Sequence, residues 1–146
     1  MAPEAPTTFV TAAFCIVDGG RLLTVRKAGA SRFQLPGGKL DVGETSREAA
    51  VREAMEEVGV DLADATGPRL GKFHDVAANE PDSFVSVTAF VTDLPSGAMP
   101  EPRAEIAEQR WLALDGDLPD DLAPVLRNHI VPALRQHLGD DASSSP

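Results

Sequence analysis

Glu53 directly follows Arg52, and Glu56 and Glu57 lie three and four residues after Glu53. On a helix such positions are neighbours, so their carboxylates gather on one side. Crowded like charges disfavour a bare helix, and a bound cation removes that penalty. Hard divalent ions such as magnesium favour carboxylate and water ligands and bridge readily to phosphate. The plain alternative is an acidic stripe facing solvent. Gly37 and Gly38 upstream shift the balance. A glycine pair gives the backbone freedom to turn and to approach a ligand closely, and it can present main-chain groups to the same ion.

The helix that must carry these side chains has legible ends. Thr45 can cap it, with Glu48 three residues later completing a capping box. Gly59 falls just past the last turn, where a left-handed cap is easiest. Ala50, Ala54 and Val58 recur every four residues, and Val51 and Met55 widen that stripe into a buried face.

The whole stretch, GGKLDVGETSREAAVREAMEEVGV from Gly37 to Val60, resembles the signature of the Nudix hydrolases, a MutT-like family. From Gly38, five residues precede Glu44, seven more precede Arg52–Glu53, and Glu56–Glu57 and Gly59–Val60 follow. Ala54 departs mildly, since the signature usually carries a larger apolar residue there. The resemblance implies an α/β fold, a Nudix-type α/β/α sandwich with a central mixed β-sheet. It implies Mg2+ as cofactor, with Mn2+ as a substitute, held by Glu53, Glu56, Glu57 and the Gly38 carbonyl. A further carboxylate is expected ahead of the strand containing Trp111, Glu105 first and Glu108 as the alternative. Arg52, Glu53, Glu56 and Glu57 form the catalytic set. Glu53 is either a ligand or the base that accepts a proton through water. Arg52 offsets carboxylate repulsion through forked hydrogen bonds, and Glu44 orients Arg52 or acts through an outer water.

The implied reaction is hydrolysis of a nucleoside diphosphate linked to another group, with a nucleoside triphosphate-type substrate favoured. An ADP-ribose or nucleotide-sugar diphosphatase is the enzyme alternative. A catalytically weak nucleotide-binding regulatory module is the alternative of another class. Magnesium-dependent product formation separates enzyme from binder.

Around this centre, residues 9–17 and 21–27 read as two strands joined by Asp18–Gly19–Gly20, a hairpin. Residues 69–76 form a weaker strand, and 84–92 a strand near the middle of a sheet. Residues 93–103 are irregular, and 105–112 are a turn feeding a strand. From Leu122 to Leu138 the spacing is helical and covers the sheet opposite the signature helix. Pro124 suits an early helical position, and Pro132 should kink or divide the segment. Arg26 and Lys39 are the favoured phosphate contacts. Phe33 and Phe84 could stack on a base, and Gln34 and Asn79 could read its edge. His74 is either a surface strand residue or lines the site, and core packing is the expected role of Trp111.

The 146 residues suit one domain over 8–138, with a flexible lead at 1–7 and a flexible tail at 139–146. Thirteen basic against 23 acidic residues give a formal charge of −10. That argues against duplex nucleic acid and anionic membranes as partners. A nucleotide-type small molecule remains possible where a metal masks the acidic cluster. Cys15 is the sole cysteine and reads as a small buried side chain, compatible with a reducing cytoplasm. No apolar run is long enough to span a bilayer. Either a monomer or a homodimer fits.

Overall fold

The computed structural model describes residues 6–78 and 81–143. Its first two strands, β1 (Thr7–Asp18) and β2 (Arg21–Lys27), form the expected hairpin. Gly19 and Gly20 turn it at φ of 57° and 78°, values that L side chains rarely adopt. The two strands pair at Val17↔Leu22 and Asp18↔Arg21. Further along β1, Thr11–Ala13 pairs instead with a short strand, β3 (Gly37–Lys39).

The glycine pair is therefore extended strand and not a turn. Neither glycine has a positive φ, so their value is the absence of a side chain. A Cβ on Gly37 would press into the Ala12 carbonyl oxygen and the Ala13 side chain, and one on Gly38 would lie 2.6 Å from Glu53 Oε1.

The sheet runs in the order β4 (Arg69–Val76), β5 (Ser83–Asp93), β1, β2, β6 (Ile106–Ala113). β1 and β5 are parallel from Thr7↔Ser83 to Val17↔Asp93, and the other pairs are antiparallel. This is the mixed sheet expected. Alternation along β1 divides the core. Ala12, Phe14 and Ile16 pack with Ala50, Ala54 and Val58, while Ala13, Cys15 and Val17 pack with Leu126, Ile130 and Leu134. One helix covers each face, giving the α/β/α sandwich.

Helix α1 (Ser46–Val58) starts at Thr45 with the full capping box to Glu48 and ends at Gly59 with φ 69°. Its buried face is rotated from the one expected. Met55 is 41% exposed, and Glu57 is buried at 2%. At 3.6 residues per turn, Glu57 stands about 60° to one side of Ala54 and Met55 about 100° to the other. The arc centred on Ala54 therefore takes in the glutamate and leaves the methionine out.

The last helical segment opens at Pro124, passes through a π-helical turn at Leu126–Ile130, and continues as α2 (Val131–Ser143). The Val131 N–H reaches back five residues to the Leu126 carbonyl. Pro132 has no N–H, and its ring would clash with the carbonyl four residues earlier in a regular helix. The widened turn just ahead of it takes the place of a kink. α2 extends past Leu138, where the apolar spacing ends.

Three substitutions separate these contributions to stability. Gly37→Ala should cost about 1–3 kcal/mol, because the obstruction is backbone that cannot yield. Thr45→Ala should cost about 0.5–2 kcal/mol through the lost cap. Gly139→Ala, in open space on α2, should instead stabilise by up to about 1 kcal/mol. Urea denaturation of the four proteins checks all three signs.

Candidate active site

Glu57 enters the core on the sheet-facing side of α1, under β3. The Gly37 N–H donates to its Oε1 at 2.9 Å. Its Oε2 is buried without a hydrogen-bond partner. Burial pushes the carboxyl up to about 7, the Gly37 N–H only partly opposes this, and Glu53 and Glu105 add to the rise. One turn back, Glu53 lies against Gly38. Burial also raises its pKa, and Arg52 opposes that rise.

Arg52 organises the outer side of the helix. Its Nε and Nη2 donate to both oxygens of Glu44 at 2.8 and 2.9 Å. Nη1 donates to Glu53 Oε1 at 3.0 Å and to Glu56 Oε2 at 3.3 Å. Nη2 also reaches the Lys39 carbonyl at 3.1 Å, tying the helix to β3. Glu44 is held down at about 2, chiefly by the Arg52 hydrogen bond. The same bond raises the Arg52 guanidinium above its ordinary value.

These attachments pull the glutamates apart. Glu53 and Glu56 lean on Arg52, while Glu57 points inward. Among the described residues no group of three acidic, imidazole or thiol side chains stands close enough to hold a metal ion. The donor set still fits a hard divalent ion. Magnesium keeps several waters and takes as few as one or two protein carboxylates. A buried carboxylate oxygen without a partner is costly, and a cation is one group that such an oxygen could accept.

Beside β3 a cleft of about 700 Å3 opens, lined by β1 from Phe9, by β3, by Glu53 and Glu105, and by the π-helical turn. Gln34 and Lys39 line it, and Lys39 Nζ sits 4.4 Å above the Phe9 ring. Glu105 lines it too, whereas Glu108 pairs with Arg26 at 3.1 Å. Arg26 also donates to the Ala30 carbonyl at 3.0 Å and stays out of the cleft lining. Phe33 is packed in the core beneath the Arg110 guanidinium, 3.8 Å from its centroid. Phe84 stacks on His74 at 5.3 Å. It points to the sheet face opposite Val85 and Val87, which do line the cleft. Asn79 lies outside the described residues. Trp111 packs partly buried against the α1 side of the core. Cys15 is fully buried, and burial pushes its thiol up to about 12, which leaves little nucleophilic thiolate.

The sequence offers Lys27 as one of a basic group with Arg26, Arg32 and Lys39 and does not single out Phe9, yet both Phe9 and Lys27 line the cleft. For Lys27 the signal was parity. Leu23 and Val25 point toward α1, and alternation puts Lys27 on that face and Arg26 on the other.

No helix among the described residues is long and apolar enough to cross a membrane. A NUDIX domain model matches residues 7–133. A Mycobacterium tuberculosis protein named "Putative 8-oxo-dGTP diphosphatase 2" is 34% identical over 134 residues, covering 80% of this chain and 89% of that protein. The Escherichia coli 8-oxo-dGTP diphosphatase is 30% identical over 96 residues, covering 65% of this chain and 68% of its own. The crystal structure of a MutT NUDIX hydrolase from Burkholderia pseudomallei superposes with a TM-score of 0.69 at 28% identity, over 89% of this chain and 98% of that one. The chain thus belongs to the NUDIX family, as an enzyme that hydrolyses a phosphoanhydride bond of a nucleotide-type substrate with the divalent-metal dependence general to that family.

Proposed function

We propose that the substrate is of the nucleoside triphosphate type, bound with its phosphates over β3 and its base along the cleft. The observation that carries the reading is the buried Glu57 carboxylate, whose Oε2 has no partner beneath Gly37 and Gly38. Relatives named as 8-oxo-dGTP diphosphatases favour a triphosphate over other nucleotide conjugates.

Glu57, Glu56, the Gly38 carbonyl and Glu105 are the groups that would hold Mg2+, with Mn2+ as a substitute. A divalent ion supplies charge neutralisation at the phosphate oxygens and acidifies water. Glu53 accepts the proton of the attacking water on Oε2, since Oε1 is engaged by Arg52. Its raised pKa makes it a better base than an exposed carboxylate. Arg52 positions Glu53 and Glu56, and Glu44 fixes Arg52. Lys39 faces phosphate. Gln34 offers its amide to the base edge, and Phe9 offers a ring. The roles first weighed for Arg26, Phe33 and Phe84 find no support in where those side chains lie.

A panel of canonical and damaged deoxynucleoside triphosphates, ADP-ribose, dinucleoside polyphosphates and nucleotide sugars, with magnesium and product identification, tests the substrate class. Triphosphates should be turned over best, and chelation should stop turnover. Preferential cleavage of ADP-ribose would overturn the assignment. Outer-shell partners of a metal cost about 10–100-fold when lost. Arg52→Lys, which keeps charge without the fork, should fall in that range, and Glu57→Gln should exceed about 100-fold.

The metal-free protein should also reveal Glu57 through pH. Its folded pKa, about 7, lies above the ordinary glutamate value of 4.5. Its contribution is therefore fully present below about 4.5 and is lost as pH rises through about 7. Glu57→Gln removes that dependence. Thermal melts in chelator from pH 4 to 8 should show the variant gaining on wild type as pH rises, by on the order of 3 kcal/mol in all. A constant difference would mean that the carboxyl is not buried in solution.

A further inference from the structure

The acidic end of the cleft has several cations nearby, and most are committed elsewhere. Arg52 is held by Glu44, Glu53 and Glu56. Arg26 is held by Glu108 and the Ala30 carbonyl. Lys39 rests on Phe9. Lys27 lines the cleft with Glu53 and Glu105, and its Nζ lies 3.4 Å from Glu105 Oε1. Its ammonium also acts on Glu53 and Glu57, opposing the rise that burial imposes on both.

The backbone explains why this lysine is there. The β2–β6 register is irregular between Arg26 and Lys27, so Lys27 faces Ile106 while Arg26 faces Glu108. The Ala28 N–H then donates to the Glu105 carbonyl at 2.8 Å. Irregularities of this kind re-aim side chains at strand ends. Here one brings the last residue of β2 beside the first acid before β6.

The pair is built to part. Both side chains are well exposed, 37% and 64%, and a single contact between such groups is worth little. A lysine is a compact point charge on a flexible stem, unlike the forked grip of Arg52 on Glu44.

We propose that Lys27 is an exchangeable counter-charge: in the metal-free protein its ammonium neutralises the acidic end of the cleft at Glu105, and a divalent ion displaces it and leaves it free for a phosphate oxygen of the substrate. This rests on the metal assignment of the proposed function. It makes Lys27 a competitor of the metal before nucleotide arrives and a substrate contact afterwards. A lysine that merely tethered Glu105 in place would have the opposite effect, because its loss would loosen a ligand.

Titration calorimetry with Mn2+ alone, without nucleotide, distinguishes the two. Lys27→Met and Lys27→Gln should bind Mn2+ about two- to five-fold more tightly than wild type, the range expected for removing an exposed charge pair. Lys27→Arg should bind like wild type. Under saturating Mn2+, the two neutral variants should show a raised KM for nucleotide with kcat less affected. Equal or weaker Mn2+ binding in both neutral variants overturns the proposal, as does an unchanged KM. Glu57→Gln serves as the control for the underlying reading. If it binds Mn2+ as well as wild type, the metal assignment fails whatever Lys27 does.

Discussion

A carboxylate buried against a main-chain N–H is the constraint that the rest of the molecule serves. Glu57 sits at 2% exposure with one oxygen on Gly37 and the other without a partner. For that to happen, α1 must lie close over β3, and β3 must carry no side chain where the helix meets it. Gly38 clears the helix side, where Glu53 lies, and Gly37 clears β1, where the Ala12 carbonyl and Ala13 lie. Their contribution is clearance, since Ala12 and Glu53 already occupy the space a Cβ would need. The split pairing of β1, with β2 at one end and β3 at the other, puts that bare backbone beneath the helix.

The second layer of organisation is the division of labour between arginine and lysine. Arg52 meets Glu44 with two parallel bonds, turns Nη1 to Glu53 and Glu56, and also reaches the Lys39 carbonyl through Nη2. A planar fork suits such fixed geometry. The lysines at the cleft make single, longer approaches to a carboxylate and an aromatic ring. The rigid cation thus holds acids in position on the helix. The lysines line the cleft, where the proposed substrate and metal would meet.

Much of this was legible in the chain because it is local. Thr45, Glu48 and Gly59 mark the ends of α1 through bonds made within a few residues. The Gly19–Gly20 turn sets the first hairpin in the same way. What was not legible depends on distant partners. Nothing near Gly37 tells that it pairs with Ala13. Nothing in the apolar spacing of α1 reveals that Glu57 is inside and Met55 outside, because an inward glutamate interrupts the pattern that periodicity reads. Nothing near Phe33 in the sequence tells that Arg110, distant in the chain, covers its ring. Lys27 was legible in principle. Strand parity from Leu23 and Val25 places it toward α1, whereas Arg26 stands out only by its position at the end of a strand.

The formal charge of −10 and a polyanionic substrate are reconciled at short range. Screening confines exposed charges to a neighbourhood of about 8–10 Å at ordinary ionic strength, so the surface total says little about the cleft. Within that radius the balance is set by a few groups, and it changes with loading. Without a metal, the acids at the cleft's end are offset by Arg52 and Lys27 and by the tendency of Glu57 to keep its proton. On the proposed metal assignment, entry of a divalent ion would remove the need for both the proton and the lysine. The same end of the cleft would then present positive charge to phosphate. An acidic protein can therefore bind an acidic ligand without a basic patch, provided that its buried carboxylates are left short of partners until the ion arrives.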